Sequence, residues 1–125
     1  MGRLAFIIED NVELGLIYAA SIEVFDYDTE IIPDGKKALD RLAETVPSLI
    51  ILDMNLPHVS GHFIYKHLRG DEKFANCPII IATANALIAD ALKNELTPGD
   101  HLLVKPISPT QLRNLVKTVA QRSTP

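Results

Sequence analysis

Five short aliphatic runs recur along the chain: LAFII at 4–8, TEII at 29–32, LIIL at 49–52, PIIIA at 78–82 and HLLV at 101–104. Three of them are continuously apolar rather than alternating. That pattern marks strands covered on both faces, as in a parallel sheet. The run at 29–32 is shorter and more polar, which suits a sheet edge. Between the runs lie segments with helical spacing. The segment 11–26 places Leu14, Ile17, Tyr18, Ser21 and Phe25 on one side, and 35–46 carries Ala38, Leu39 and Leu42. The segment 60–69 carries Phe63, Ile64 and Leu68, and 85–96 carries Ile88, Leu92 and Leu96. The last, 108–121, carries Leu112, Leu115, Val116 and Val119, and opens on SPTQ. There Ser108 is the expected N-cap, Pro109 the first helical residue and Gln111 the closing member of a capping box. TPGD at 97–100 is a turn with Gly99 at a positive φ. Strand and helix thus alternate five times, which predicts an α/β fold of one domain over 1–125. Right-handed crossovers then put helices on both faces of a five-stranded, doubly wound parallel sheet.

The remaining composition narrows the function. A net charge of −4 argues against direct nucleic-acid binding, which uses a basic patch. The single cysteine, Cys77, allows no internal disulfide and is expected to pack at the start of the fourth strand; a reducing cytoplasm fits. No apolar run approaches a membrane span, and the N-terminus meets acid too soon for a signal peptide.

In an open parallel sheet, ligands bind beyond the carboxyl ends of the strands. Glu9 and Asp10 follow the first run, Asp53 the third, Thr83 the fourth, and Lys105 and Pro106 the fifth. Three acids, a hydroxyl and a lysine therefore converge on one edge. Three carboxylates repel one another unless a cation joins them, and Mg²⁺ is the hard cation that takes carboxylates together with phosphate oxygens. Lysine suits phosphate as a mobile point charge, and a threonine hydroxyl can donate to a phosphoryl oxygen. Phosphoryl transfer uses all of these, and an aspartate can be its nucleophile. Taken singly, each residue has an ordinary structural role. Asp10 or Asn11 can cap the first helix, Asp53 can open a turn before Pro57 and Gly61, and Thr83 and Lys105 can be structural or solvated. Their joint placement at four strand ends favours the site.

The segments IIED, LIILDMNLPHVSG, PIIIATAN and LLVKPIS, in this order and at these separations, resemble the receiver domain of two-component response regulators over essentially the whole chain. The resemblance implies a flavodoxin-like strand order 2-1-3-4-5 in a three-layer arrangement. It implies that Asp53 is the phosphoacceptor, and that Glu9 and Asp10, with Asp53 and the Asn55 carbonyl, hold Mg²⁺. Thr83 would be the switch hydroxyl and Lys105 its charged partner, with Lys105–Pro106 a cis bond. Small Ala84 would leave the phosphoryl site open. The donor would be a histidine kinase or a histidine phosphotransfer protein, the reader an unidentified downstream protein, and the only catalysis that of the chain's own phosphorylation and dephosphorylation. Neither DNA nor membrane contact is implied, and no output domain is expected.

One position departs from the family pattern. Receivers often carry Tyr or Phe three residues before the lysine, where this chain has Leu102, and His101 should face the opposite way. That keeps open a pseudo-receiver that only docks partners. An Asp-nucleophile phosphatase is the third reading, but it needs a second acid where Asn55 stands. On the first helix Val12, Leu16 and Ala20 form an apolar stripe away from the core, the expected contact for the phosphodonor. His58, His62 and His67 lack the shared face and further ligands of a zinc site.

Overall fold

The computed structural model describes residues 3–122. Five strands, β1 (Arg3–Ile8), β2 (Tyr27–Ile32), β3 (Leu49–Asp53), β4 (Ile79–Thr83) and β5 (His101–Val104), form one parallel sheet in the order β2-β1-β3-β4-β5. The helices are α1 (Val12–Glu23), α2 (Gly35–Glu44), α3 (Gly61–Arg69), α4 (Ala86–Lys93) and α5 (Pro109–Arg122). A single 3₁₀ turn at Glu72–Phe74 adds Phe74 to the core, an element the spacing did not predict. The polar run lies at the edge, as β2, and the three central strands carry the buried aliphatics.

Alternation along the strands sorts the core into two halves. Phe6, Ile8, Ile50, Leu52, Ile79 and Ile81 pack with α2, α3 and α4 on one face. Ala5, Ile7, Leu49, Ile51 and Ile80 pack with α1 and α5 on the other. Leu102 joins the first half, while His101 lines a surface cavity with Val119 of α5, so the two do face opposite ways.

Local signals hold at the helix starts. Ser108 Oγ accepts from the Gln111 N–H at 3.0 Å, and Ser60, Asn85 and Asp34 cap α3, α4 and α2 through their side chains. The cap of α1 is Asn11, not Asp10, which leaves Asp10 exposed and free for other use. Gly99 has φ +95°.

Helix phase is where the spacing misleads. Ile17, Phe63 and Ile88 were expected on core faces but are exposed, and Gly15, Tyr65 and Ala89 are buried instead. α3 has nine residues and α4 eight, so an apolar pattern over two turns fixes the buried direction poorly. α1 ends at Glu23, before Phe25, which packs on the core from the turn into β2; α4 ends at Lys93, and Leu96 packs from the loop beyond it. The RSTP tail lies, from residue 123 onward, outside the described residues.

Candidate functional site

The backbone ladder runs on past the strands and carries the site residues with it. Glu9 N–H donates to the Ile32 carbonyl at 3.1 Å, Met54 N–H to Ala82 at 2.9 Å, and Lys105 N–H to Thr83 at 2.8 Å. Glu9, Asp53 and Lys105 therefore leave rigid sheet, not mobile loop. The peptide between Lys105 and Pro106 is cis. Glu9 and Asp53 are only 1% and 3% exposed, and Thr83 is equally buried. One carboxylate oxygen from each of Glu9, Asp10 and Asp53 lies within 4.8 Å of the others. Lys105 Nζ sits 2.8 Å from Glu9 Oε1 and 3.4 Å from Asp53 Oδ1.

Two backbone donors hold the acids in place. Asn11 N–H donates to Glu9 Oε2 at 3.2 Å, and Asn55 N–H to Asp53 Oδ1 at 3.2 Å. Thr83 Oγ1 accepts from the Asn85 N–H at 3.1 Å, which ties the hydroxyl to the cap of α4. Ala84 and Pro106 are both exposed at the rim.

Burial dominates the electrostatics. It pushes the Glu9 carboxyl from an ordinary 4.5 up to about 7; hydrogen bonds from Lys105 and Asn11 pull the other way without overcoming it, and the charge of Asp53 adds to the rise. Burial also works against the Lys105 charge, but the bond to Glu9 and the field of Asp53 win, and its pKa rises. A third titratable group faces the same charges. Burial raises the Tyr18 phenol of α1, and Lys105, Glu9 and Asp53 all act on it. Spacing alone marked Tyr18 only as a core residue.

The site also depends on a glycine whose role the sequence did not reveal. A Cβ on Gly61 would fall on the carbonyl oxygen of Asp53 and within 2.6 Å of Met54 Cα. The N-terminus of α3 thus rests directly on the backbone of Asp53, closed by a 3.2 Å bond from Gly61 N–H to the Met54 carbonyl. A glycine eight residues past the acid was the only available signal, and it read equally well as a helix start.

The three histidines do not come together among the described residues. His58 Nδ1 is 2.9 Å from Asp34, and His62 Nε2 is 3.0 Å from Glu95. Val12, Leu16 and Ala20 are exposed along α1, as expected, and Ile17 widens the apolar strip. Cys77 is buried just before β4, with its thiol pushed up to about 12 by burial. Among the described residues, no helix is long and apolar enough to cross a membrane.

Known proteins with this arrangement agree with one another. The family model of the response regulator receiver domain matches residues 5–117. The chain is 34% identical over 119 residues to the polar-differentiation response regulator DivK of Brucella ovis, covering 94% of this chain and 96% of that protein. It is 32% identical over 119 residues to the phosphate regulon transcriptional regulatory protein PhoB of Rhizobium meliloti, covering 95% of this chain and 52% of PhoB. The chain spans about half the length of the first curated relatives it matches. Among solved structures, the receiver domain of a LuxO repressor protein from Vibrio parahaemolyticus superposes with a TM-score of 0.82 at 26% identity, covering 98% of this chain and 93% of that one. The receiver domain of sensor histidine kinase PA1611 from Pseudomonas aeruginosa, solved with magnesium in its active-site cleft, has the same fold, with a TM-score of 0.82 at 24% identity over 97% of this chain and 99% of that one. Matching strand order, an acidic strand-end cluster facing a lysine, and a family model that covers nearly the whole chain lead to one assignment: the chain belongs to the response regulator receiver family.

Proposed function

We propose that this receiver takes a phosphoryl group onto Asp53 from the phosphohistidine of a histidine kinase or histidine phosphotransfer protein. The observation that carries the reading is a buried Asp53 carboxylate facing Lys105 at 3.4 Å, with two further acids beside it. The set of donors fits Mg²⁺: Glu9, Asp10 and Asp53 supply carboxylate oxygens, and the Asn55 carbonyl is the fourth donor expected from the family. Bound there, the cation neutralises charge on the transferring group. Magnesium in the cleft of the PA1611 receiver supports the choice of metal.

In the transfer itself, a carboxylate oxygen of Asp53 forms the new O–P bond as the P–N bond to the donor imidazole breaks. The imidazole leaves with the electron pair and takes up a proton. Lys105 is held against Glu9 and Asp53 and can swing its ammonium to the arriving phosphoryl oxygens. Thr83 gives its hydroxyl to the same group. These roles limit the chain's catalysis to its own phosphorylation and dephosphorylation. The donor docks on the exposed strip of Val12, Leu16 and Ala20, close to the site because α1 begins two residues after Asp10. The phosphorylated state then shifts a two-state equilibrium that a downstream protein reads. The absence of any candidate membrane span among the described helices is compatible with action in the cytoplasm.

Beryllofluoride, which mimics a phosphoryl group on a carboxylate, tests this. Titration with Mg²⁺ present should show saturable binding that disappears in Asp53→Asn. Binding that survives the substitution would rule out Asp53 as the acceptor. No binding in the parent protein would favour a docking-only module.

A further inference from the structure

The loop between β3 and α3 carries Asn55 and contains a backbone outlier. His58 has φ +67°, the left-handed region, which is uncommon outside glycine although asparagine, aspartate and histidine enter it more often than other residues. Such strain persists only where surrounding contacts hold it, and it gathers at functional sites. The contacts here are specific. His58 Nδ1 is 2.9 Å from Asp34 Oδ2, while Asp34 Oδ1 accepts from the Lys36 and Lys37 N–H groups at 2.7 and 3.2 Å and so caps α2. Beside this pair the loop backbone presses on α2: a Cβ on Gly35 would come within 2.5 Å of the Val59 carbonyl oxygen. The near end of the loop is tied to the site by Asn55 N–H to Asp53 and Gly61 N–H to Met54. The segment between Asp53 and α3 is therefore tied to the site at one end and, farther along, to α2 by the imidazole–carboxylate pair and the Val59–Gly35 contact, with Leu56 and Val59 packed on the core.

We propose that His58 and Asp34 form a latch that positions the Asn55 loop over Asp53, and thereby sets the Mg²⁺ affinity of the site. Both are positioning residues; neither touches the metal or the phosphoryl group. The inference rests on the function proposed above. The latch is strongest when the imidazole is charged. Asp34 is its acidic partner, Lys36 and Lys37 are the basic residues in the first turn of α2, and the loop from 54 to 61 brings no other charge.

The test is a set of Mg²⁺ titrations of the parent, His58→Asn, Asp34→Asn and His58→Lys at pH values from about 5.5 to about 8, the range in which an imidazole changes charge. Asparagine tolerates the left-handed conformation at 58 and still caps at 34, so both variants should fold, which their thermal transitions will check. Because the His58 side chain is 73% exposed, which screens the pair, the variant-to-parent ratio of dissociation constants should be about 2- to 5-fold at the acid end and fall toward unity at the alkaline end. Taking the ratio cancels the titration of Glu9, which all four proteins share. His58→Lys carries a permanent charge, so, whatever strain φ +67° adds, its dissociation constant should change less with pH than the parent's. A fifth protein, combining His58→Asn with Asp34→Asn, should bind no more weakly than either single variant. Ratios of unity at every pH, or ratios that do not change with pH, would overturn the latch while leaving the functional reading intact. Failure of the parent protein to bind Mg²⁺ would overturn both.

Discussion

Replacing Gly61 with alanine should damage the site and the fold together, and by a calculable amount. The added Cβ would overlap the Asp53 carbonyl oxygen and lie 2.6 Å from Met54 Cα, where real Cβ contacts stay beyond 3.0 Å. Both obstacles are backbone at the end of a central strand, so no side-chain rotation relieves them. Overpacking of this kind costs about 1–3 kcal/mol, and an unyielding backbone puts Gly61→Ala near the upper end, at about 3 kcal/mol. With an unfolding entropy of about 2.1 cal/mol/K per residue, 125 residues lose roughly 4 °C in Tm for each 1 kcal/mol, so the expected drop is roughly 11 °C. Two other glycines calibrate the effect. Gly99 has open space around it but φ +95°, so alanine there should cost only about 1 kcal/mol. Gly15 would place its Cβ 2.9 Å from the Cγ2 methyl of Ile31, a β-branched side chain stiff at χ1, so a contact cost of about 1–2 kcal/mol is set against roughly 1 kcal/mol gained in helix propensity, a net change within about 1 kcal/mol. Urea unfolding of the three variants gives the order directly, and beryllofluoride affinity shows whether Asp53 has moved. A Gly61→Ala protein as stable as the Gly99 variant, with parental beryllofluoride affinity, would refute the claim that α3 rests on the Asp53 backbone.

Three further outcomes follow. Because Glu9 is raised from 4.5 to about 7 in the folded protein, its contribution to stability is full below pH 4.5 and is lost as pH rises toward about 7. Metal-free protein should therefore lose up to about 3 kcal/mol across that window, a loss that Mg²⁺ reverses and Glu9→Gln abolishes; identical pH profiles for the parent and Glu9→Gln would contradict it. At the opposite end of the sheet, Arg69 pairs with the fully buried Asp100 side chain, which also accepts from Tyr65 and Thr97 hydroxyls at 2.6 and 2.7 Å. Asp100→Asn should cost about 3 kcal/mol in urea unfolding without changing beryllofluoride affinity, since it strands a buried guanidinium far from Asp53. Leu16→Glu should slow transfer from a phosphohistidine donor but not phosphorylation by acetyl phosphate, and equal slowing of both would remove α1 as the docking surface.

Much of this arrangement is legible in the sequence because buried parallel strands leave a plain mark. Continuous aliphatic runs locate β1, β3 and β4, and the residue after each run is the site residue, since the ladder carries it rigidly past the strand end. Ser108 is readable for a similar local reason, as a cap bonds within three residues. What escapes is whatever depends on chain segments far apart. Arg69 meets Asp100 across 31 residues and His58 meets Asp34 across 24, and no local pattern announces either pair. Gly61 reads as a helix start until the backbone it touches is known. Phe63 and Ile88 look like core residues because short helices carry too few turns to fix their phase. Leu102 breaks a family habit, yet it packs in the core cluster beside α4 much as an aliphatic residue on β5 would be expected to.

The most direct test of the central claim is phosphoryl incorporation. Incubated with Mg²⁺ and acetyl phosphate, the protein should gain the mass of one phosphoryl group on the peptide containing Asp53. The bond should be cleaved by hydroxylamine, as an acyl phosphate is, and Asp53→Asn should gain none. Incorporation at another residue, or equal incorporation in Asp53→Asn, would contradict the account.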